Sequence, residues 1–376
     1  MITSILEASR TQLLTEIYEA KKMLYRILNL PTESQSLISM SISPFLSLLC
    51  EGIDNLFSED DVKFSENYGL IYGMSFTKLM NQNRASVKLL TDKKITRAIK
   101  TIDKQLIAFN QDLVREYNLL QRDYISMFGQ PDLGIYFFEN VAFSNTSQLS
   151  IYQDMFRQIA IDNLGNNTLG FIIRDFSASQ ANSISSFASA IEGKTLPKID
   201  SNKCKLDISD NDFSEKDFIF IDERKRNIFL HSENKNLSLY LFNIKCQMSF
   251  ALKLAPKIID RNHALRFRVE IIAYYQSMKT IDFLIKKGKL LLSSTKMEIL
   301  DKLLINFNNI FSDNYLRNNI YHYRFSDDNV HMVMKNDYFI SMIEFQTRQD
   351  FNCVFGNIER DMTELIEVLD EITALV

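Results

Sequence analysis

Glycine and proline are scarce in this chain, whose 376 residues include only 10 Gly and 5 Pro. These two residue types form most tight turns, and β-sandwiches and doubly wound sheets need many such turns. Their scarcity argues against those architectures and predicts a mainly α-helical protein. The apolar fraction of 46% and the charged fraction of 24% are ordinary for a globular protein. The length allows two or three domains.

Long apolar runs are also missing. No stretch approaches the roughly 18 consecutive apolar residues of a transmembrane helix, and the first residues do not follow a signal-peptide pattern. We therefore expect no membrane association and a cytoplasmic location. The four cysteines are far apart in the sequence and form no C-x-x-C pair, which fits a reducing compartment. Because the net charge is −4, any nucleic-acid site must be a local basic patch.

The common motifs of metal and cofactor chemistry are absent from the sequence. No His/Cys/Asp cluster has metal-ligand spacing. There is no P-loop, no dinucleotide-binding fingerprint and no nucleophile elbow. We therefore expect no metal and no cofactor, and nothing indicates nucleotide hydrolysis or serine hydrolysis.

Apolar periodicity divides the chain into three predicted regions. These are a helical N-terminal region (1–128), a mixed α/β middle region (129–235) and a C-terminal four- or five-helix bundle (236–376). The first region begins with helices predicted over residues 4–28, 34–57 and 68–80, the second of them bent at Pro44. The bundle begins with an apolar helix over 238–254 that ends near Pro256, followed by a helix that stops at Gly288 and one capped by Ser294.

The longest periodic run extends over residues 88–128. Ile95, Ile99, Ile102 and Leu106 alternate steps of four and three, and the pattern slips at Tyr117. A long bundle helix and a coiled-coil dimer both fit this pattern. We favour the bundle helix, because aromatic residues such as Tyr117 fit poorly into a dimer seam.

The middle region has a different texture. Residues 193–215 form a polar linker in the sequence. Two segments rich in aromatic and β-branched residues, 217–222 and 227–231, flank a charged turn at 223–226, which predicts a β-hairpin.

A short helix is predicted near residue 316, between two bundle helices. Leu316, Ile320 and Tyr323 recur at the spacing that lines one helix face. Asp313 stands where an N-cap residue would accept hydrogen bonds from the first turn.

This helix carries the residues best suited to chemistry. Asn318 and His322 are four positions apart and share a face, whereas Arg317 points roughly 140° away from His322. An imidazole and an amide can therefore lie side by side, with a guanidinium reaching round from the flank. Such a set can bind a phosphodiester and move a proton.

The pattern Arg317-Asn318-x-x-x-His322 within a helical bundle resembles the catalytic motif of the HEPN superfamily of RNases, which is Arg, four to six residues, then His, commonly with Asn after the Arg. The resemblance covers residues 236–376. It implies a metal-independent endoribonuclease that leaves 2′,3′-cyclic phosphate and 5′-OH ends. His322 would transfer the proton, Arg317 would hold the phosphate, and Asn318 would orient the imidazole or donate to a phosphate oxygen. Tyr321 and Arg324 are further candidates for substrate contact.

The resemblance also implies partners. The family usually builds its site from two copies, so a homodimer is expected, with RNA as substrate. Antiviral defence or a toxin–antitoxin pair is the implied setting, with an antitoxin or another protein as a possible partner.

Two alternatives stay open. Arg226-Asn227-Ile228-Phe229-Leu230-His231 matches the same strict pattern, but it follows a predicted strand and a charged turn rather than a helix cap. Alternatively, Arg317 pairs with Asp313 while His322 packs in the core, and the chain is a non-catalytic helical scaffold that binds a protein partner.

Overall fold

A computed structural model of the chain describes residues 5–30, 32–57, 95–114, 117–129, 131–150, 184, 197–222, 227–230, 234–323 and 337–376. The protein is mainly helical, as predicted, and the described part of the middle region holds a small sheet. The first two predicted helices are present as α1 (Ile5–Leu28) and α2 (Thr32–Leu56), and Pro44 lies inside α2. The helix predicted over 68–80 lies outside the described residues.

The long helix predicted over 88–128 is wrong as one continuous element. Within the described part, α3 (Ile95–Val114) and α4 (Leu119–Phe128) are separate helices. Asn118 starts α4 through a capping box, in which the Asn118 side chain accepts from the Gln121 backbone N–H and the Gln121 side chain accepts from the Asn118 backbone N–H. The slip in the apolar pattern at Tyr117 therefore marks a helix boundary rather than a stutter.

The sheet has three antiparallel strands, β1 (Leu133–Phe138), β2 (Val141–Asn145) and β3 (Phe213–Phe218), with β1 in the centre. A short helix, α5 (Thr146–Ser150), follows β2.

The predicted hairpin over 217–231 is wrong, because β3 pairs with β1 and Phe229 pairs with Leu375 near the end of the chain. The Asp132 carboxylate accepts the backbone N–H groups of Phe220 and Ile221 at 2.6 and 2.9 Å. These donors are thereby withdrawn from strand pairing after Phe218.

The C-terminal region is a series of connected helices: α6 (Lys235–Ser249), a π-helical turn (Phe250–Leu254), α7 (Ala255–Ile258), α8 (Ala264–Lys286), α9 (Ser294–Ile310), α10 (Asn314–His322), α11 (Tyr338–Thr347) and α12 (Phe351–Thr373).

The helical run that begins at Lys235 ends at Ile258, near Pro256 as predicted, and the proline is tolerated because a proline in the first turn of α7 needs no backbone donor. The predicted cap of α9 is wrong. The N-cap of α9 is Ser293 rather than Ser294, and the Ser293 hydroxyl donates to Glu371 instead of accepting from the helix. Gly288 follows α8 with a φ of 61°, as its predicted role at a helix end requires.

The largest apolar cluster draws buried side chains from all three predicted regions, including Leu13, Phe143 and Leu365. A second cluster lies between α3, the sheet and α6. Polar contacts also join the N-terminal helices to the bundle: Arg26 of α1 binds both Glu19 and Asp260. The three-region division itself stays a prediction. Among the described helices, none is long and apolar enough to cross a lipid bilayer.

Candidate active site

The motif helix α10 forms as the sequence predicts. The Asp313 carboxylate accepts the Tyr315 backbone N–H at 2.8 Å and caps the helix. Leu316 and Ile320 face the core, which fixes the rotation of the helix. The opposite face, which carries Asn318, is exposed.

His322 lies between two charged side chains. Its Nδ1 is 3.0 Å from Glu51 Oε1 on α2, and its Nε2 is 3.4 Å from Arg317 Nη1. The His322 side chain is 35% exposed, whereas that of Glu51 is 6% exposed. A buried carboxylate therefore supports an imidazole that solvent and ligands can reach.

These neighbours determine which ring nitrogen of the neutral imidazole carries the proton. Arg317 has only donors, and an ionised carboxylate has only acceptors. The arrangement is therefore satisfied when Nδ1–H of His322 donates to Glu51 and the Nε2 lone pair faces Arg317. A carboxylate at Nδ1 also stabilises the imidazolium that forms when Nε2 takes a proton.

Arg317 is held beside the imidazole by two contacts within its own helix. Its Nη1 donates to Asn318 Oδ1 at 3.0 Å, and its guanidinium carbon lies 4.9 Å from the centre of the Tyr321 ring. Its partners are thus Asn318 and His322, not the Asp313 of the alternative interpretation. Asn318 therefore orients the guanidinium in this structure, rather than the imidazole.

Tyr321, a predicted substrate contact, is only 3% exposed, and its ring packs against the Arg317 guanidinium. Tyr315 on the same helix was not predicted as a contact and is 48% exposed. Arg324 lies outside the described residues, as do Arg226 and His231 of the second motif.

Glu51 is the site residue that the sequence did not point to. It lies 271 positions before His322, in a region that carries no chemical motif. One local signal was available, because an acidic residue followed by glycine interrupts an otherwise apolar helix end at 45–53. Buried carboxylates are rare unless they are paired.

A fully buried arginine supports α10 from the core. Arg268 of α8 donates to both carboxylate oxygens of Glu16 at 2.7 Å and also to the backbone carbonyl of Ile320. Burial opposes the charged form, but the Glu16 carboxylate outweighs it and raises the pKa of Arg268 above its usual value. The last turn of the motif helix is thereby tied to α8 and α1.

No group of three His, Cys, Asp or Glu side chains within the described residues is placed to hold a metal ion. Comparisons with protein-family models, with curated proteins and with solved structures return no match. The chemical interpretation of the site therefore depends on its own geometry.

Proposed function

We propose that the protein is a metal-independent endoribonuclease of the HEPN type. One observation carries this proposal: a solvent-accessible imidazole is held between a buried carboxylate and an arginine. The carboxylate orients the imidazole and offsets the charge of the imidazolium that forms during proton transfer, and the arginine supplies the charge that a phosphate needs.

In the proposed reaction, the phosphate of the substrate draws Arg317 Nη1 away from the imidazole, and His322 Nε2 then takes the proton of a ribose 2′-OH. The 2′-oxygen then attacks the adjacent phosphorus, and the bond from phosphorus to the 5′-oxygen breaks. Arg317 donates to the phosphate oxygens and offsets the charge that develops on them. The Asn318 NH₂ group, which has no acceptor among the described residues, donates to the same phosphate. The products carry a 2′,3′-cyclic phosphate and a 5′-OH.

The leaving 5′-oxygen needs an acid while His322 acts as the base. A single imidazole cannot fill both roles in one step, so the proposal includes a second copy of the chain that contributes its own His322. The exposed part of the imidazole is where a second copy would approach. The proposed enzyme is therefore a homodimer, acting on RNA in antiviral defence or as a toxin.

A second candidate function has an observation in its favour. Helix α4 has no buried residue, and its Leu120, Tyr124, Met127 and Phe128 follow a helical spacing while exposed. An apolar helix face of this kind fits a protein partner. In this alternative the chain is a non-catalytic interaction protein.

RNA cleavage separates the two functions. Purified protein is incubated in EDTA with an unstructured RNA and with its 2′-O-methyl analogue, and the product ends are identified. The proposal expects cleavage of the RNA alone, with 2′,3′-cyclic phosphate ends. The proposal is contradicted if the RNA stays intact, or if the RNA and its 2′-O-methyl analogue are cleaved equally.

The two copies of the motif are then compared. His322→Ala and Arg317→Ala should each lower the cleavage rate by roughly 10²–10⁴-fold, the usual value of a positioned acid or base. His231→Ala and Arg226→Ala serve as controls and should stay within a few-fold of the parent. The opposite result would assign the site to the second motif. In cells, expression of the parent should arrest growth and the His322→Ala variant should not.

A further inference from the structure

The motif helix ends in an unusual way. Directly after His322, Tyr323 has a φ of 54° and a ψ of 3°, which is the left-handed conformation that glycine normally adopts at this position. Tyr323 is also completely buried. A bulky side chain keeps such a backbone only when its surroundings hold it there.

Two groups hold Tyr323. Its hydroxyl donates to Glu16 Oε2 at 2.6 Å, and the Arg268 guanidinium lies 3.9 Å from the centre of its ring. Arg268 also donates to the carbonyls of Ile320 and Asn319, which belong to the last turn of α10 and have no partner within the helix. One buried cluster therefore fixes both the end of α10 and the residue after it.

The neighbouring helix α2 meets this cluster through a glycine. A Cβ atom at Gly52 would lie 2.8 Å from Tyr323 Cδ2 and 3.1 Å from Tyr323 Cγ. Only glycine allows the ring to come this close to the helix. Gly52 directly follows Glu51, and Tyr323 directly follows His322. The contact between Gly52 and Tyr323 is therefore one residue along from the contact between Glu51 and His322 in both segments.

We propose that Gly52, Tyr323, Glu16 and Arg268 are positioning residues that set the contact between Glu51 and His322. This inference rests on the proposed ribonuclease function. The cluster keeps the Tyr323 backbone in one place, and the adjacent His322 then meets Glu51 with its Nδ1. Any side chain at position 52 pushes the ring away and moves the imidazole with it.

The test compares two glycine substitutions in helices. Gly52→Ala must displace the Tyr323 ring by about half an ångström to reach ordinary contact, whereas a Cβ at Gly356 on α12 has nothing within 4 Å. Two kinds of data are measured: the ¹⁵N chemical shifts of the His322 ring in histidine-labelled protein, and the steady-state kcat and KM of RNA cleavage.

Gly52→Ala should move the two ring-nitrogen shifts away from the Nδ1–H pattern. It should also lower kcat about tenfold or more with KM within about twofold, since small misplacements of a catalytic group are costly. Gly356→Ala should change none of these. A folded Gly52→Ala protein with parental shifts and a parental rate would overturn the inference.

A second pair of variants decides the question if Gly52→Ala does not fold. Tyr323→Phe and Tyr274→Phe each remove a buried hydroxyl that donates to a carboxylate. The Tyr323 hydroxyl donates to Glu16 at 2.6 Å, and the Tyr274 hydroxyl donates to Asp361 at 2.9 Å. Both should lose similar stability. Only Tyr323→Phe should alter the His322 shifts and lower kcat several-fold, and equal behaviour of the two variants would refute the positioning role.

The nitrogen shifts keep this inference separate from the proposed function. A parent protein that does not cleave RNA refutes the ribonuclease. The response of the His322 ring to Gly52→Ala still decides whether the cluster positions it.

Discussion

The replacement Glu51→Gln tests the electrostatic part of the proposed mechanism. The amide keeps the size of the side chain, and its oxygen can still accept from His322 Nδ1–H. The negative charge is lost, and an NH₂ group replaces the other carboxylate oxygen. A neutral imidazole is affected little, whereas the imidazolium that forms during proton transfer loses its ion-pair partner.

The size of the effect follows from the distance between the two side chains. Opposite charges at the observed distance of 3.0 Å attract each other by about 5 kcal/mol where the effective dielectric constant is about 20. The His322 side chain is 35% exposed, so solvent screening reduces this to roughly 1–2 kcal/mol. That free energy corresponds to about a 5- to 30-fold fall in the rate of the chemical step.

Single-turnover cleavage of a fluorescent RNA in EDTA measures this rate. Glu298→Gln is the matched control, because Glu298 is exposed on α9. In the His322→Ala background, Glu51→Gln should cause no further loss, since both residues act through one imidazole. A Glu51→Gln enzyme within threefold of the parent, or losses that add fully, would refute the assignment of Glu51 as the partner of His322.

Three further predictions concern assembly, substrate binding and pH. The active protein should sediment as a dimer at micromolar concentration, and a monomer that cleaves RNA would contradict the two-copy site. Tyr315→Ala should weaken binding of a 2′-O-methyl RNA by about 5- to 100-fold through loss of base stacking. Tyr315→Phe and the control Tyr124→Ala should bind like the parent in fluorescence anisotropy, and equal loss in all three would exclude stacking. Burial raises the pKa of Glu270 to about 8 although Arg266 opposes the shift, so the folded protein keeps a proton that the unfolded chain releases above about pH 4.5. Urea unfolding should therefore show the parent losing stability, on the order of a few kcal/mol, as the pH rises from 5 to 8, while Glu270→Gln should lose less. If the stability of the parent and of Glu270→Gln changed with pH in parallel, the titrating group would be a residue other than Glu270.

Much of the fold could be predicted because it depends on local interactions. The scarcity of turn residues and the apolar spacing indicated the helices. Helices α1 and α2 extend close to their predicted ranges, and α8 ends just before Gly288, as predicted. The hairpin error arose where non-local partners decide. The strand Phe213–Phe218 pairs with β1, whose residues lie about 80 positions earlier in the chain. The strand ends where the Asp132 carboxylate accepts the Phe220 backbone N–H.

The candidate site divides in the same way. The sequence by itself determined α10: Asp313 caps it, Leu316 and Ile320 bury one face, and Arg317 and His322 lie within reach of each other along one helix. All of these interactions span a few residues, so spacing alone is sufficient to predict them.

Only the tertiary structure decided which side chain contacts Nδ1 of the His322 imidazole. Glu51 reaches His322 because α2 packs against the end of α10, and that packing depends on the missing side chain of Gly52 and on the buried pair of Glu16 and Arg268. Each of these residues is unremarkable in its own stretch of sequence. Their contacts join positions up to 307 residues apart, and no local spacing rule specifies such contacts.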